Sequence, residues 1–210
     1  RLSQHMTTLH DLLKRTAALL DHLGVPYAVI GGQCVIAHGR DRYTKDVDAV
    51  IAPDPSVADR MAAEASAFGL APAVADLADF VRRTCIAVLL DAHSDSHVDL
   101  ALGYTPYEHE AIARAVPIEV DDQTVRYATA EDLVIHKLFA GRPHDIEDVK
   151  GVLLRQRGKL DLDYIRHWLP QFAEISDDPD IVQTFEDMVK RHYYPPPETT
   201  GEKQWPWEPE

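Results

Sequence analysis

An α+β fold, with a mixed sheet flanked by helices and a helical C-terminal part, is what three features of the sequence predict. Short β-prone runs and helical spacings interleave between Tyr27 and Tyr127. Two segments, Lys45–Ile51 and His97–Leu102, alternate polar and apolar residues as half-buried strands do. From Thr129 onward only helical spacing remains, punctuated by caps, Gly141 and Pro143.

Thr8–Leu23 carries Leu9, Leu12, Leu13, Ala17, Leu19, Leu20 and Leu23 at amphipathic spacing and closes on Gly24 and Pro26. Arg1–His5 read as the remnant of an expression leader, with Met6 as the native start. Tyr27–Ile30 is a strand that ends at the pair Gly31–Gly32, and Gln33–His38 starts a helix. Lys45–Ile51 is the next strand. Pro53 and Pro55 then break the chain, and Ser56 caps a helix from Val57 to about Phe68 that stops at Gly69. Ala75–Arg83 is a short helix and Cys85–Leu90 a continuously apolar, buried strand. Asp91, His93, Asp95, His97 and Asp99 fall at every second position. A single strand would line them up as a metal cluster, but Ser94–Ser96 favours a turn, with His97–Leu102 returning as a second strand. A helix over Pro106–Val116 and a small hairpin around Asp121–Asp122 follow. Thr129 and Asp132 form a capping box for Ala130–Ala140, and Pro143 opens His144–Gln156. Asp161 or Asp163 caps a helix to Leu169, and Pro179–Tyr193 is the last. The chain thus divides into residues 6–128, a helical part at 129–194, and a proline-rich tail at 195–210 with Trp205 and Trp207.

At 210 residues, 45% hydrophobic and 27% charged, the chain has an ordinary globular composition. Nothing in it is long and apolar enough for a membrane span or a secretory leader, so a soluble cytoplasmic protein is expected. Cys34 and Cys85 both lie in apolar segments and read as reduced, buried thiols. The formal net charge of −14 argues against general nucleic-acid binding. The basic residues are nevertheless grouped, notably Arg40, Arg42 and Lys45, then Lys137 and Arg142, so a local basic cleft is compatible with the composition.

Ile30–Ile51 carries the strongest chemical signal. The glycine pair permits close backbone approach to a ligand, and the free N–H groups of a following helix favour an anion. Asp46 and Asp48 share one strand face, roughly 7 Å apart at Cα. Two carboxylates opposite a phosphate-binding turn suit Mg²⁺ bridging to a nucleoside triphosphate. Asp99 stands alone among Val98, Leu100, Ala101 and Leu102, and a carboxylate in such a strand requires a partner.

The Gly-Gly pair followed by Arg-x-Thr-x-Asp-x-Asp resembles the DNA polymerase β-like nucleotidyltransferase superfamily, and within it the AbiEii-type toxins, including the MenT-type tRNA-modifying toxins. The likeness spans about Val25–Leu169. It implies a nucleotidyltransferase-like mixed sheet with Asp46, Asp48 and Asp99 as catalytic and metal-binding carboxylates. It further implies Mg²⁺ (or Mn²⁺) as cofactor and an NTP as substrate. Gly31, Gly32, Gln33, Arg42, Thr44, Lys45, Lys137 and Arg142 are the implied nucleotide- and phosphate-binding positions. Gln33 stands where relatives usually carry Ser or Thr. The later Lys137, Arg142, Asp145 and Asp148 match the superfamily's Lys–Arg–Asp signature. Read without the resemblance, Lys137 is an exposed helix lysine, Arg142, Asp145 and Asp148 serve a cap and pair with Lys150, and His136 and His144 are surface or packing residues. The resemblance implies transfer of a nucleoside monophosphate in a toxin–antitoxin system, with tRNA or another macromolecule as acceptor and a cognate antitoxin as partner. Two alternatives stay open: an enzyme modifying small molecules such as antibiotics, and a catalytically weak protein-binding member.

Overall fold

The apolar runs assemble one seven-stranded mixed sheet, in the order β3-β4-β5-β2-β1-β7-β6. The structure is a computed structural model that describes residues 2–176 and 178–194, with side chains from Leu9 onward. Strand β1 (Tyr27–Val29) lies antiparallel to β2 (Val47–Ile51), and β2 runs parallel to β5 (His97–Leu102). The register sets Asp48 directly beside Asp99. Strand β4 (Ile86–Asp91) returns antiparallel on the far side of β5, with Val88 opposite Asp99. The hairpin of β6 (Val116–Val120) and β7 (Gln123–Tyr127) closes the other edge through a parallel contact of β7 with β1.

Helix α1 (Leu2–His22) buries Leu12, Leu13, Leu19 and Leu20, the stripe its spacing predicts, and begins well before Thr8. Helix α2 (Gly31–Ala37) starts at the first glycine itself, two residues earlier than expected. Helix α3 (Val57–Glu64) continues as a 3₁₀ turn to Phe68 and stops at left-handed Gly69. Ser56 does not cap it: its backbone, at φ −95° and ψ −3°, is already helical rather than extended as an N-cap requires, and its hydroxyl and N–H both donate to Asp54. Helix α4 (Leu77–Thr84) is capped by Asp76. Helix α5 (Pro106–Arg114) carries a complete capping box from Thr105 and Glu108.

In the C-terminal part, α6 (Ala130–Ala140) is capped by Thr129 and ended by left-handed Gly141, and α7 (Pro143–Arg155) opens on its proline as predicted. Helix α8 (Leu162–Ala173) is capped by Asp161, not Asp163, and runs on through Pro170. Helix α9 (Ile181–Met188) leads into a π-helical turn ending at Tyr193. The tail with Trp205 and Trp207 lies outside the described residues. No helix among those described is long and apolar enough to cross a membrane.

Two expectations are corrected. Strand β4 is not buried throughout: Ala87, Leu89 and Asp91 face the core while Ile86 and Leu90 are 38% and 47% exposed. Its apolar sequence is therefore partnered on one face only. Cys85 is exposed in a left-handed turn, whereas Cys34 is buried and donates to the Ala128 carbonyl. The short strand β3 (Leu70–Pro72) has no periodic signal and forms because β4 offers it an edge.

Candidate active site

Period-2 geometry puts Asp46, Asp48, His97 and Asp99 on one side of the sheet, where β2 and β5 begin. The turn out of β1 is fastened to this row, since the Ile30 N–H donates to the Asp48 carbonyl at 2.9 Å. Gly31 then takes a left-handed conformation, φ 62°, with its backbone against the Asp48 carboxylate. A Cβ there would lie 2.8 Å from Asp48 Cγ, and one on Gly32 would lie 2.5 Å from Thr44 Oγ1. The pair is thus required twice, once for a backbone conformation and once for close packing. Gly31→Ala is expected to cost at least about 1–2 kcal/mol from the left-handed backbone alone. It should also push Asp48 aside, so thermal melts of the variant should fall together with its Mn²⁺ affinity. A melt equal to the wild type's would refute the packing.

The row lines a cleft of about 430 Å³ shared with α6 and the start of α7. Gly31, Gly32, Arg42, Thr44, Asp46, Asp48, Asp99, Lys137 and Arg142 all border it. Gln33 and Lys45 do not. They border a separate cavity of about 900 Å³ between α1, α2 and the β4–β5 turn, which Arg42 and Thr44 also reach. Gln33 is 3% exposed and its amide nitrogen has no protein partner.

Lys137 is not a surface lysine. It is 7% exposed, and its ammonium contacts Asp145 at 2.6 Å and Asp148 at 3.1 Å. Asp145 also accepts from Arg142 at 2.6 Å, and Asp148 accepts from Arg40 and from Arg42, the latter at 2.5 Å. Pairing of this motif with Lys150 does not occur, since Lys150 faces Glu147. Four basic side chains thus surround two buried carboxylates, a formal excess of two positive charges, with Lys137, Arg42 and Arg142 bordering the cleft. Burial opposes ionisation of Asp145, but the hydrogen bonds and charges of Arg142 and Lys137 outweigh it and hold its pKa below the usual carboxylate value.

The three sheet carboxylates behave differently. Burial, then the charges of Asp99 and Asp46, raise the Asp48 pKa. His97 sits between the other two, with Nδ1 2.9 Å from Asp46 and Nε2 3.4 Å from Asp99, while its backbone N–H donates to Asp46. His97, His136 and His144 all border the cleft, although as sequence His97 only opens a returning strand and His136 and His144 read as surface or packing residues. Only the spacing of His97 two residues before Asp99 hinted at a shared face. Among the described residues no trio of His, Cys, Asp or Glu is drawn together tightly enough to hold a metal ion. The donor chemistry nevertheless fits a hard divalent cation: three carboxylates share a face, and burial, followed by repulsion from the other two, disfavours the charge on the central one.

Comparison with solved structures agrees with the architecture. An antigenic nucleotidyltransferase-like protein from Paracoccidioides brasiliensis superposes with a TM-score of 0.52 at 17% identity, over 85% of this chain and 92% of that one. The solution structure of the antibiotic-resistance factor ANT(2″)-Ia gives 0.53 at 16% identity, over 90% and 100%. The crystal structure of ANT(2″)-Ia with adenylyl-2″-tobramycin gives 0.51 at 17%, over 80% and 98%. At these identities the likeness establishes the fold. No curated protein sequence matches the chain. The family model described as nucleotidyltransferase of unknown function (DUF6036) matches residues 7–193, nearly the whole described chain, and the protein belongs to that family of nucleotidyltransferases.

Proposed function

We propose that the chain moves a nucleoside monophosphate from an NTP to a hydroxyl of a small-molecule acceptor, in a Mg²⁺- or Mn²⁺-dependent reaction. The supporting observation is the row Asp46, Asp48 and Asp99, aligned across two parallel strands and facing a cleft whose opposite wall carries excess positive charge. Asp46, Asp48 and Asp99 are the residues that would hold the metal, which when bound neutralises triphosphate oxygens and acts as a Lewis acid.

The chain's own groups account for the remaining chemistry. Asp99 accepts the proton of the acceptor hydroxyl, whose oxygen forms a bond to the α-phosphorus. The bond from that phosphorus to the bridging oxygen breaks, and pyrophosphate leaves with the electron pair. Lys137, Arg42 and Arg142 favour the charge building on the leaving group. They are held by Asp145 and Asp148 before substrate arrives, so little reorganisation is needed. His97, fixed between Asp46 and Asp99, sets the orientation of both carboxylates.

Charge supports the small-molecule acceptor. The net charge of −14 disfavours a polynucleotide, and among the described residues Arg40, Arg42, Lys137 and Arg142 are gathered around Asp145 and Asp148 at the cleft, where they suit a triphosphate rather than an extended track. The AbiEii-like toxin reading, with a tRNA acceptor and an antitoxin, is supported by the Lys137–Arg142–Asp145–Asp148 motif. Incubation with each α-labelled NTP separates the two. Label on small hydroxyl compounds and none on tRNA is the expected result, and label on tRNA would overturn the small-acceptor assignment. No label on anything, together with no Mg²⁺-dependent NTP binding, would leave the protein-binding alternative.

A further inference from the structure

The carboxylate-bearing side of the sheet continues past Asp99 onto β4, where no helix among the described residues buries Ile86 or Leu90. Val88 is opposite Asp99, Leu90 opposite His97 and Ile86 opposite Ala101, so all share the face of the candidate base. Ile86 and Leu90 are 38% and 47% exposed, and Val88 is half-buried. Ala71 of β3, opposite Leu90, extends the same surface. The one acidic residue of β4, Asp91, turns to the other face, where it pairs with Arg15 at 2.7 Å. Isolated exposed aliphatics are ordinary on protein surfaces. Three on one strand, in register with a cleft carboxylate, form a continuous apolar shelf.

Resting on the transfer reaction proposed above, we infer that the acceptor is a hydroxyl compound with an apolar, aromatic or aliphatic body, seated on the Ile86–Val88–Leu90 shelf. A hydroxyl presented to Asp99 must have its body over an adjacent strand. On one side is β2, which with Asp48 borders the nucleotide cleft, and on the other is β4. The body therefore lies over β4. On that face β4 itself presents only Ile86, Val88 and Leu90, with no carboxylate for a polycationic acceptor and no basic side chain for a polynucleotide. An apolar body gains by removing these side chains from water.

Saturation-transfer NMR on the full chain tests this, with 2-naphthol, tobramycin and an unstructured oligoribonucleotide as probes. Each is run with and without Mg²⁺ and the four α,β-methylene NTPs. Contact from 2-naphthol alone is expected, weakened roughly tenfold in Ile86→Asn and Leu90→Asn. Both positions are exposed, so the variants should fold, and unchanged NTP affinity confirms that they have. Contact from tobramycin or the oligoribonucleotide instead, or 2-naphthol contact that survives both substitutions, overturns the inference. A concentration-dependent dimer in sedimentation that the same substitutions abolish also overturns it, by making the shelf a self-interface. Loss of NTP binding in the wild type counts against the transfer reaction, while the nucleotide-free probe arm still decides the shelf.

Discussion

Asp48→Asn is expected to abolish transfer, by about 10³-fold or more, while leaving the metal-free protein as stable as the wild type or more so. The first half follows from the carboxylate's place between Asp46 and Asp99 on one face, where removing a charge removes a metal ligand. The second follows from its raised pKa, caused first by burial and then by the neighbouring Asp99 and Asp46. A carboxyl that binds its proton more tightly folded than unfolded loses stability as pH climbs from the ordinary carboxylate value through the raised one. Above that window the ionised Asp48 is a standing cost to the folded state. Asparagine keeps the shape against which Gly31 packs and removes the charge. Thermal melts in EDTA from pH 4 to 8 should show the wild type falling relative to the variant, and excess Mn²⁺ should reverse the order. Retained transfer, or a variant clearly less stable at neutral pH without metal, would remove Asp48 from the metal-binding set.

Asp148→Asn is expected to be the most destabilising single change in the cleft wall. The carboxylate is 2% exposed, accepts from Arg40 and Arg42, and lies 3.1 Å from the Lys137 ammonium. Arg40 reaches it by crossing α7 at Gly151, where a Cβ would lie 2.5 Å from the Arg40 Cδ. Breaking a buried pair by removing one partner costs about 3–5 kcal/mol, because the remaining charge stays uncompensated. The side chains of Arg40 and Arg42 are 33% and 25% exposed, so both regain water, and Lys137 keeps Asp145. The lower end, about 3 kcal/mol, is therefore expected. For a domain of this size that lowers the melting temperature by roughly 6–12 °C. The loop that carries Arg42, Thr44 and Asp46 should loosen with it, seen as faster amide exchange over residues 40–46. A shift under about 1 kcal/mol would mean that Asp148 does not tie this loop to α7.

Element type was legible wherever one face of an element meets the core and the other meets water. The α1 stripe, the Thr129 cap of α6, Pro143 at the start of α7 and the turn at Ser94–Ser96 are local signals, and the fold uses each of them. Strand β3 gives no such signal and forms by pairing with β4. Strand β4 misled because six apolar residues in a row look the same whether both faces are buried or one. The cap at Ser56 failed because the turn anchored by Asp54 holds the Ser56 backbone in a helical rather than an extended conformation.

By itself the sequence determined the mixed sheet, the helical C-terminal part, and the carboxylates Asp46, Asp48 and Asp99 as chemically unusual positions. Alternation fixes which side chains share a face, and a carboxylate among aliphatics stands out wherever it is placed. Only the tertiary structure decided that Asp48 and Asp99 are neighbours, since strand order depends on contacts between residues about fifty positions apart. The same holds for Lys137, exposed by its helical position yet buried because two carboxylates of the next helix close over it. Glycines 31 and 32 carry the point furthest. As letters they mark a turn, and only in three dimensions do Asp48 and Thr44 occupy the space where their side chains would be.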